Sequence, residues 1–253
     1  NALAISSTAL YVGYGTIPGI IDVLDPNTLK RISMFKASYG RDYITALAVS
    51  GTALYVGYFT VPGIVDVLNP NTLDVINTFK APSGHDEIRA LVLSSTALYV
   101  VYNTSPGIID ILNPNTLDIV RTFTAPSGHN DIRALALSST ALYVGYGTSP
   151  GIIDVLNPNT LDVINTLTAP LGRDFIRVLV LSSTALYIGY GTNPAIVDMI
   201  DPNTFKRIST FNAPSGYYVV TALTLSSTAL YVGYYTNPAI IDVLDPNTLD
   251  LRS

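Results

Sequence analysis

Arg89, Arg133 and Arg177 stand 44 residues apart, each at the start of an apolar run. The same rank in the other copies of this run holds Asn1, Thr45 and Thr221. A guanidinium is a permanent cation whose planar fork of donors matches carboxylate, sulfate or phosphate. Three of them on neighbouring layers about 10 Å apart could converge on one anion. Asp86, Glu87, Asp131 and Asp174 lie just upstream. Pairing with these is the plainer reading, and exposed pairs of that kind contribute roughly 0–1 kcal/mol.

His85 and His129 are the two histidines, and they hold one rank in neighbouring copies. Zinc asks for ligands at about 2.0–2.1 Å, which two side chains a layer apart do not supply. They are read as solvated loop residues beside the arginine site, and neither a metal nor a cofactor is expected. Tyr14, Tyr58, Tyr102, Tyr146, Tyr190 and Tyr234 form a six-fold set. They pack between units or, in a second reading, offer sugar-stacking platforms made multivalent by avidity. Asp22, Asp66, Asp110, Asp154, Asp198 and Asp242 form another set, mid-run in an apolar segment. A carboxylate there must find donors, so hydroxyls or amides are expected around it in a structural role. No G-x-S-x-G occurs, and Ser6-Ser7 falls at the opposite end of the unit from either histidine, so nucleophilic catalysis is not expected. Asn103-Thr104-Ser105 fits a glycosylation sequon.

All these sets share one period because the chain is a repeat. Ser6–Thr28, SSTALYVGYGTIPGIIDVLDPNT, returns five more times, and Thr8, Thr52, Thr96, Thr140, Thr184 and Thr228 mark the 44-residue step. The copies span 1–44, 45–88, 89–132, 133–176, 177–220 and 221–253, read as one domain. In the second copy four runs rich in β-branched and aromatic residues lie between turn residues. They are Thr45–Ser50 (strand A), Ala53–Tyr58 (B), Ile64–Leu68 (C) and Val75–Lys80 (D). No window carries a helical apolar period. Asp25-Pro26-Asn27-Thr28 suits a type I turn. Pro18 breaks the chain between B and C, and Gly19 becomes Ala195 and Ala239 in later copies, so that rank needs no positive φ.

Four antiparallel strands per unit of this length predict the blade of a β-propeller. The expected fold is all-β, a six-bladed propeller, its last copy ending inside strand D and its ring closed by packing of blade six on blade one. The copies differ mostly in the B–C and D–A loops, which share one end of the blade. The arginine site is expected there, at the mouth of the central channel.

Composition narrows the partners. Hydrophobic residues make up 48% of the chain and charged residues 12%, yet the apolar runs are as short as Ala97–Tyr102, so no helix-length membrane span is present. The net charge of -5 with no basic stripe argues against nucleic acid. Cysteine is absent, which excludes disulfides and thiolate chemistry. Asn1 stands first with no Met and no charged-then-apolar leader, which fits a processed or excised chain.

The copies resemble the YVTN β-propeller repeat of microbial cell-surface and S-layer proteins. Tyr11-Val12-Gly13-Tyr14, Val23-Leu24-Asp25 before the turn ending at Thr28, and Gly40 ahead of Ala46-Leu47-Ala48-Val49-Ser50 carry the resemblance. It implies the propeller fold and an extracellular or cell-surface setting, which low Lys and Glu with abundant Thr, Ser, Asn and Tyr also favours. The expectation is a monomeric, non-catalytic binding or scaffold module with a protein or glycan partner. A lectin using the tyrosine set, a lyase or hydrolase at the channel mouth, and a designed or amplified repeat are the alternatives.

Overall fold

The computed structural model describes residues 2–226, 228–238 and 240–252. It falls into two compact units, Asn1–Pro126 and Ser127–Ser253. The first holds blade 1, β1 (Ala2–Ile5), β2 (Leu10–Tyr14), β3 (Ile20–Leu24) and β4 (Arg31–Lys36). Blade 2 is β5 (Ile44–Val49), β6 (Leu54–Tyr58), β7 (Ile64–Leu68) and β8 (Val75–Lys80). Blade 3 is β9 (Ile88–Leu93), β10 (Leu98–Tyr102), β11 (Ile108–Leu112) and β12 (Ile119–Thr124). The second unit holds blade 4, β13 (Ile132–Leu137), β14 (Leu142–Tyr146), β15 (Ile152–Leu156) and β16 (Val163–Thr168). Blade 5 is β17 (Ile176–Leu181), β18 (Leu186–Tyr190), β19 (Ile196–Ile200) and β20 (Arg207–Asn212). Blade 6 is β21 (Tyr218–Leu225), β22 (Leu230–Tyr235) and β23 (Ile241–Leu244). Each blade is an antiparallel meander in sequence order, and the fourth strand of blade 6 is reduced to a bridge between Leu244 and Leu251. No helix occurs among the described residues. The fold class is the expected one, a six-bladed β-propeller, with three blades in each unit.

The second and third strands of blades 2 to 5 are covered on both faces, so they read as continuous apolar runs instead of alternating ones. Leu54–Tyr58 is buried at every position. Within each unit consecutive blades meet through their first strands, and the second strand of one blade leans on the first strand of the next. A glycine in the second strand makes this possible. A Cβ on Gly57 would stand 2.5 Å from Ile88 Cγ2, and one on Gly145 would stand 2.4 Å from Ile176 Cγ2. Neither glycine has positive φ, so the requirement is steric.

The rank of Gly19 follows the same logic. A Cβ on Gly63 or Gly151 would stand 2.8 Å from Cδ1 of Ile88 or Ile176. In blade 5 that rank is Ala195, fully buried, and the facing residue is Val220, one methyl shorter, in the same apolar cluster. The extra carbon on one blade is matched by a missing carbon on the next. Ala239, the other alanine at this rank, lies outside the described residues, as does Asn1.

The turn after the third strand extends one residue beyond the expected four. Asp25 Oδ1 accepts from the amides of Asn27 and Thr28 at 2.9 and 2.8 Å. The chain then runs one residue further, and Leu29 N donates to Asp25 O at 2.8 Å with Leu29 at φ 56°. A bulge follows where Leu24 pairs with Arg31. The same left-handed leucine recurs as Leu73, Leu117, Leu161 and Leu249, with Phe205 in blade 5.

The Gly63–Ile88 approach yields a coupled prediction. Gly63→Ala alone destabilises by about 1–3 kcal/mol through overpacking, a fall in Tm of roughly 2–12 °C for a chain of this size. Adding Ile88→Val recovers part of it, with a coupling of at least about 0.5 kcal/mol in a urea double-mutant cycle. Gly51→Ala, with no atom within 4 Å of its Cβ, leaves stability unchanged; strict additivity of the first pair would refute the steric account.

Candidate functional site

The strand-C aspartates are the best-connected polar groups in the chain. Asp66, Asp110 and Asp154 are fully buried and Asp198 nearly so. Asp110 Oδ1 accepts from Thr122 Oγ1 at 2.6 Å, and Oδ2 accepts from Tyr102 Oη at 2.9 Å and His85 Nδ1 at 2.8 Å. Asp154 repeats this with Thr166 at 2.6 Å, Tyr146 at 2.8 Å and His129 at 2.8 Å. An ionised carboxylate only accepts, and against one the facing Nδ1 is the donor. Each ring also leans on the tyrosine, with centroids 4.9 and 5.0 Å apart.

In blades 2 and 5 an arginine takes the histidine's place. Arg41 Nε donates to Asp66 Oδ2 and Arg173 Nε to Asp198 Oδ2, both at 2.5 Å, while Thr78 and Thr210 hold the other oxygens. Beside Arg41 the buried Tyr58 hydroxyl has no hydrogen-bond partner. Blade 6 has Tyr217 at this rank, with its ring 5.1 Å from Tyr234, whose hydroxyl donates to Asp242 at 2.9 Å. Blade 1 uses a different pair of donors. Asp22 takes Tyr14 at 3.1 Å and Arg31 from β4 at 3.4 Å.

This arrangement revises three sequence expectations. His85 and His129 are not solvated; each is mostly buried and bound to an aspartate. The reason is a 25-residue offset that brings the loop entering a blade over that blade's third strand. The tyrosine set offers no sugar-stacking faces at Tyr58, Tyr102, Tyr146 and Tyr190, whose rings are at most 2% exposed, or at Tyr234, which is buried; Tyr14 is half-buried. Desolvation, followed by the field of the nearby aspartate, raises the pKa of Tyr58, Tyr102, Tyr146 and Tyr190 far above the ordinary phenol value. Asn103 of the sequon spends its side-chain amide on Glu87, at 2.6 Å.

The arginine rank lies one residue inside the first strand, at a bulge. Thr45, Arg89, Arg133 and Arg177 are the unpaired residues between Ile and the next paired residue of β5, β9, β13 and β17. A bulge re-aims its side chain. Arg133 is drawn onto Asp131, with Nε at 2.6 Å from Oδ2, and Arg177 lies over Gly191. Arg89 is exposed and belongs to the first unit. Asp174 accepts from Ser149 Oγ at 2.8 Å, and Asp86 serves through its carbonyl, accepting from Asn103 N at 3.0 Å.

Two residues before each bulge stands a feature the sequence reading did not contain. Tyr43, Glu87, Asp131, Phe175 and Val219 all have positive φ, from 32° to 55°. The amide of four of them donates to a threonine carbonyl in the preceding blade's B–C loop: Tyr43 to Thr16, Glu87 to Thr60, Phe175 to Thr148 and Val219 to Thr192. The carbonyls of Tyr43, Glu87, Asp131 and Phe175 accept from the end of their own blade's second strand, as in Phe59 N to Tyr43 O at 3.0 Å. The left-handed backbone is thus held by hydrogen bonds on both sides. No group of three or more His, Asp or Glu side chains placed to hold a metal ion occurs among the described residues.

No family model matches the chain, and no curated protein matches it, so the YVTN resemblance stands without a family match. Among solved structures the chain is similar to the computationally designed Ika8 protein. The TM-score is 0.71 and the identity 16%, over all of this chain and 85% of the other. That likeness shows the fold. With 1639 matching chains, the fold alone does not select an activity.

Asp110→Ala strips three donors of their acceptor and is expected to destabilise by about 3–5 kcal/mol, against about 1 kcal/mol for Asp22→Ala, whose carboxylate is partly exposed. Urea midpoints give the comparison, and equal losses would show that the buried network does not carry stability. Alkali supplies a second test. The folded chain holds the phenol protons of Tyr58, Tyr102, Tyr146 and Tyr190 more tightly than the unfolded chain does. Stability is therefore intact below about pH 10 and falls above it, by about 1.4 kcal/mol per pH unit for each such tyrosine. Tyrosinate absorbance from the buried set appears only together with loss of the far-UV β signal.

Proposed function

We propose that the chain is a non-catalytic binding scaffold of a secreted or cell-surface protein, and that its working surface is the loop end where the first strands begin. One observation carries the reading. The residue at the left-handed position is tyrosine, glutamate, aspartate, phenylalanine and valine in five successive copies, and glycine in none. An L-residue there costs roughly 1–2 kcal/mol, and glycine would remove that cost. The backbone stays fixed while the side chain changes in character, and the bulge residue beside it changes from threonine to arginine in the same way. A rigid frame that displays varied side chains is how loops on a scaffold acquire binding specificity.

The near-identity of the copies and the likeness to a computationally designed protein support a second reading, a designed or amplified repeat in which this surface has no natural partner.

The two separate on one comparison. Wild-type protein and a variant with Tyr43, Glu87, Asp131, Phe175 and Val219 all changed to Gly are screened on arrays of extracellular proteins and glycans. The binding reading expects hits for the wild type and at least about a hundredfold loss, near 2.7 kcal/mol, in a variant whose Tm is unchanged or higher. An array blank for both proteins favours the second reading. Hits kept by the variant would place binding elsewhere on the molecule.

A further inference from the structure

One blade interface is built in reverse. Between consecutive blades of a unit, a large residue from the fourth strand of one meets the left-handed residue of the next, 38 positions later. The pairs are Phe35 with Leu73, Phe79 with Leu117, and Phe211 with Leu249, each inside one apolar cluster. Between blades 4 and 5 the two are exchanged, Leu167 with Phe205. A slot of about 310 Å³ opens at this place, at the lower end of the range for small-molecule pockets. Leu167, Ile188, Ile200 and Phe205 give it apolar walls.

Arg207 stands at the slot and is exposed. Its counterpart in blade 1, Arg31, pairs with Asp22. Arg207 does not repeat this; Arg173 and Thr210 hold the two oxygens of Asp198. Arg207 has neither a hydrogen bond nor an ion pair among the described residues. The Asp198 charge is balanced by Arg173, and the slot is left with one uncompensated cation.

We propose that this slot binds a small aromatic carboxylate, its ring between Leu167 and Ile200 and its carboxylate on the Arg207 guanidinium. An apolar cleft excludes water from the ring, and a planar carboxylate matches the guanidinium fork.

The probe is 2-naphthoate, titrated into the full chain and followed by methyl NMR. The expected Kd is about 0.1–1 mM, the range for a ligand of this size, with shifts at Leu167, Ile188 and Ile200. Naphthalene-2-carboxamide, the neutral match, binds about tenfold more weakly. Leu167→Phe combined with Phe205→Leu rebuilds the pair found in the other blades and abolishes binding. Arg207→Val, the residue type at Val75 and Val163 in the second and fourth copies, abolishes the preference for acid over amide. The Arg207 variant leaves the core intact, so it decides the question even if the double exchange misfolds. Absence of binding at several times the expected Kd, shifts confined to other residues, equal affinity for acid and amide, or binding that survives the rebuilt pair would each overturn the proposal.

Discussion

A carboxylate removed from water must collect donors from whatever surrounds it, and in this chain it collects them from three segments at once. Asp110 takes a threonine from the fourth strand, a tyrosine from the second, and a histidine from the loop that enters its blade, while itself sitting on the third. Removing its charge would leave three donors without an acceptor. The network therefore fixes where the entering loop lies over the sheet, and with it the left-handed residue and bulge that open the first strand. The loop end of each blade inherits its geometry from a group buried in the blade's middle.

The same site accepts more than one donor. Histidine, arginine and tyrosine occupy one rank in different blades, and the neighbouring tyrosine adjusts. It donates to the aspartate beside a histidine and is left over beside Arg41. Variation at this rank is thus absorbed inside the network, whereas variation two residues later, at Tyr43, Glu87, Asp131, Phe175 and Val219, reaches the surface.

Much of this was legible in the sequence, and the limits have physical causes. Strand positions came within a residue of the structure, as with Ile44–Val49 for the expected 45–50, because a 44-residue period overrides weak local propensity. The demand of the strand-C aspartates for donors was also legible. What escaped was the donor's identity, since a 25-residue offset between loop and strand depends on how the chain folds back, and a loop histidine looks solvated until its partner is placed. The left-handed residues escaped for a different reason. Leucine, tyrosine and valine carry no turn signal; the leucines are held by a bond within their own turn, as Leu29 N to Asp25 O, and Tyr43 and Val219 by a carbonyl of the preceding blade. The tyrosine set was visible as a period, and packing between units was one of its two readings; the burial of Tyr58, Tyr102, Tyr146 and Tyr190 selects it.

Near-identical copies turn each departure from the pattern into information about its neighbour. Ala195 in place of glycine is matched by Val220 in place of isoleucine, so that departure preserves packing and explains itself. The exchange of Leu167 and Phe205 conserves composition across an interface in the same manner, yet an open slot is found there. A swap that kept both volume and shape would have left no space, because close-packed interiors tolerate few voids larger than a water molecule. Phe205 enters from the left-handed position of a turn and Leu167 from a strand, so the two side chains do not sweep the same region when traded. The space that results is a consequence of where each side chain is anchored, and Arg207 gives it a sign.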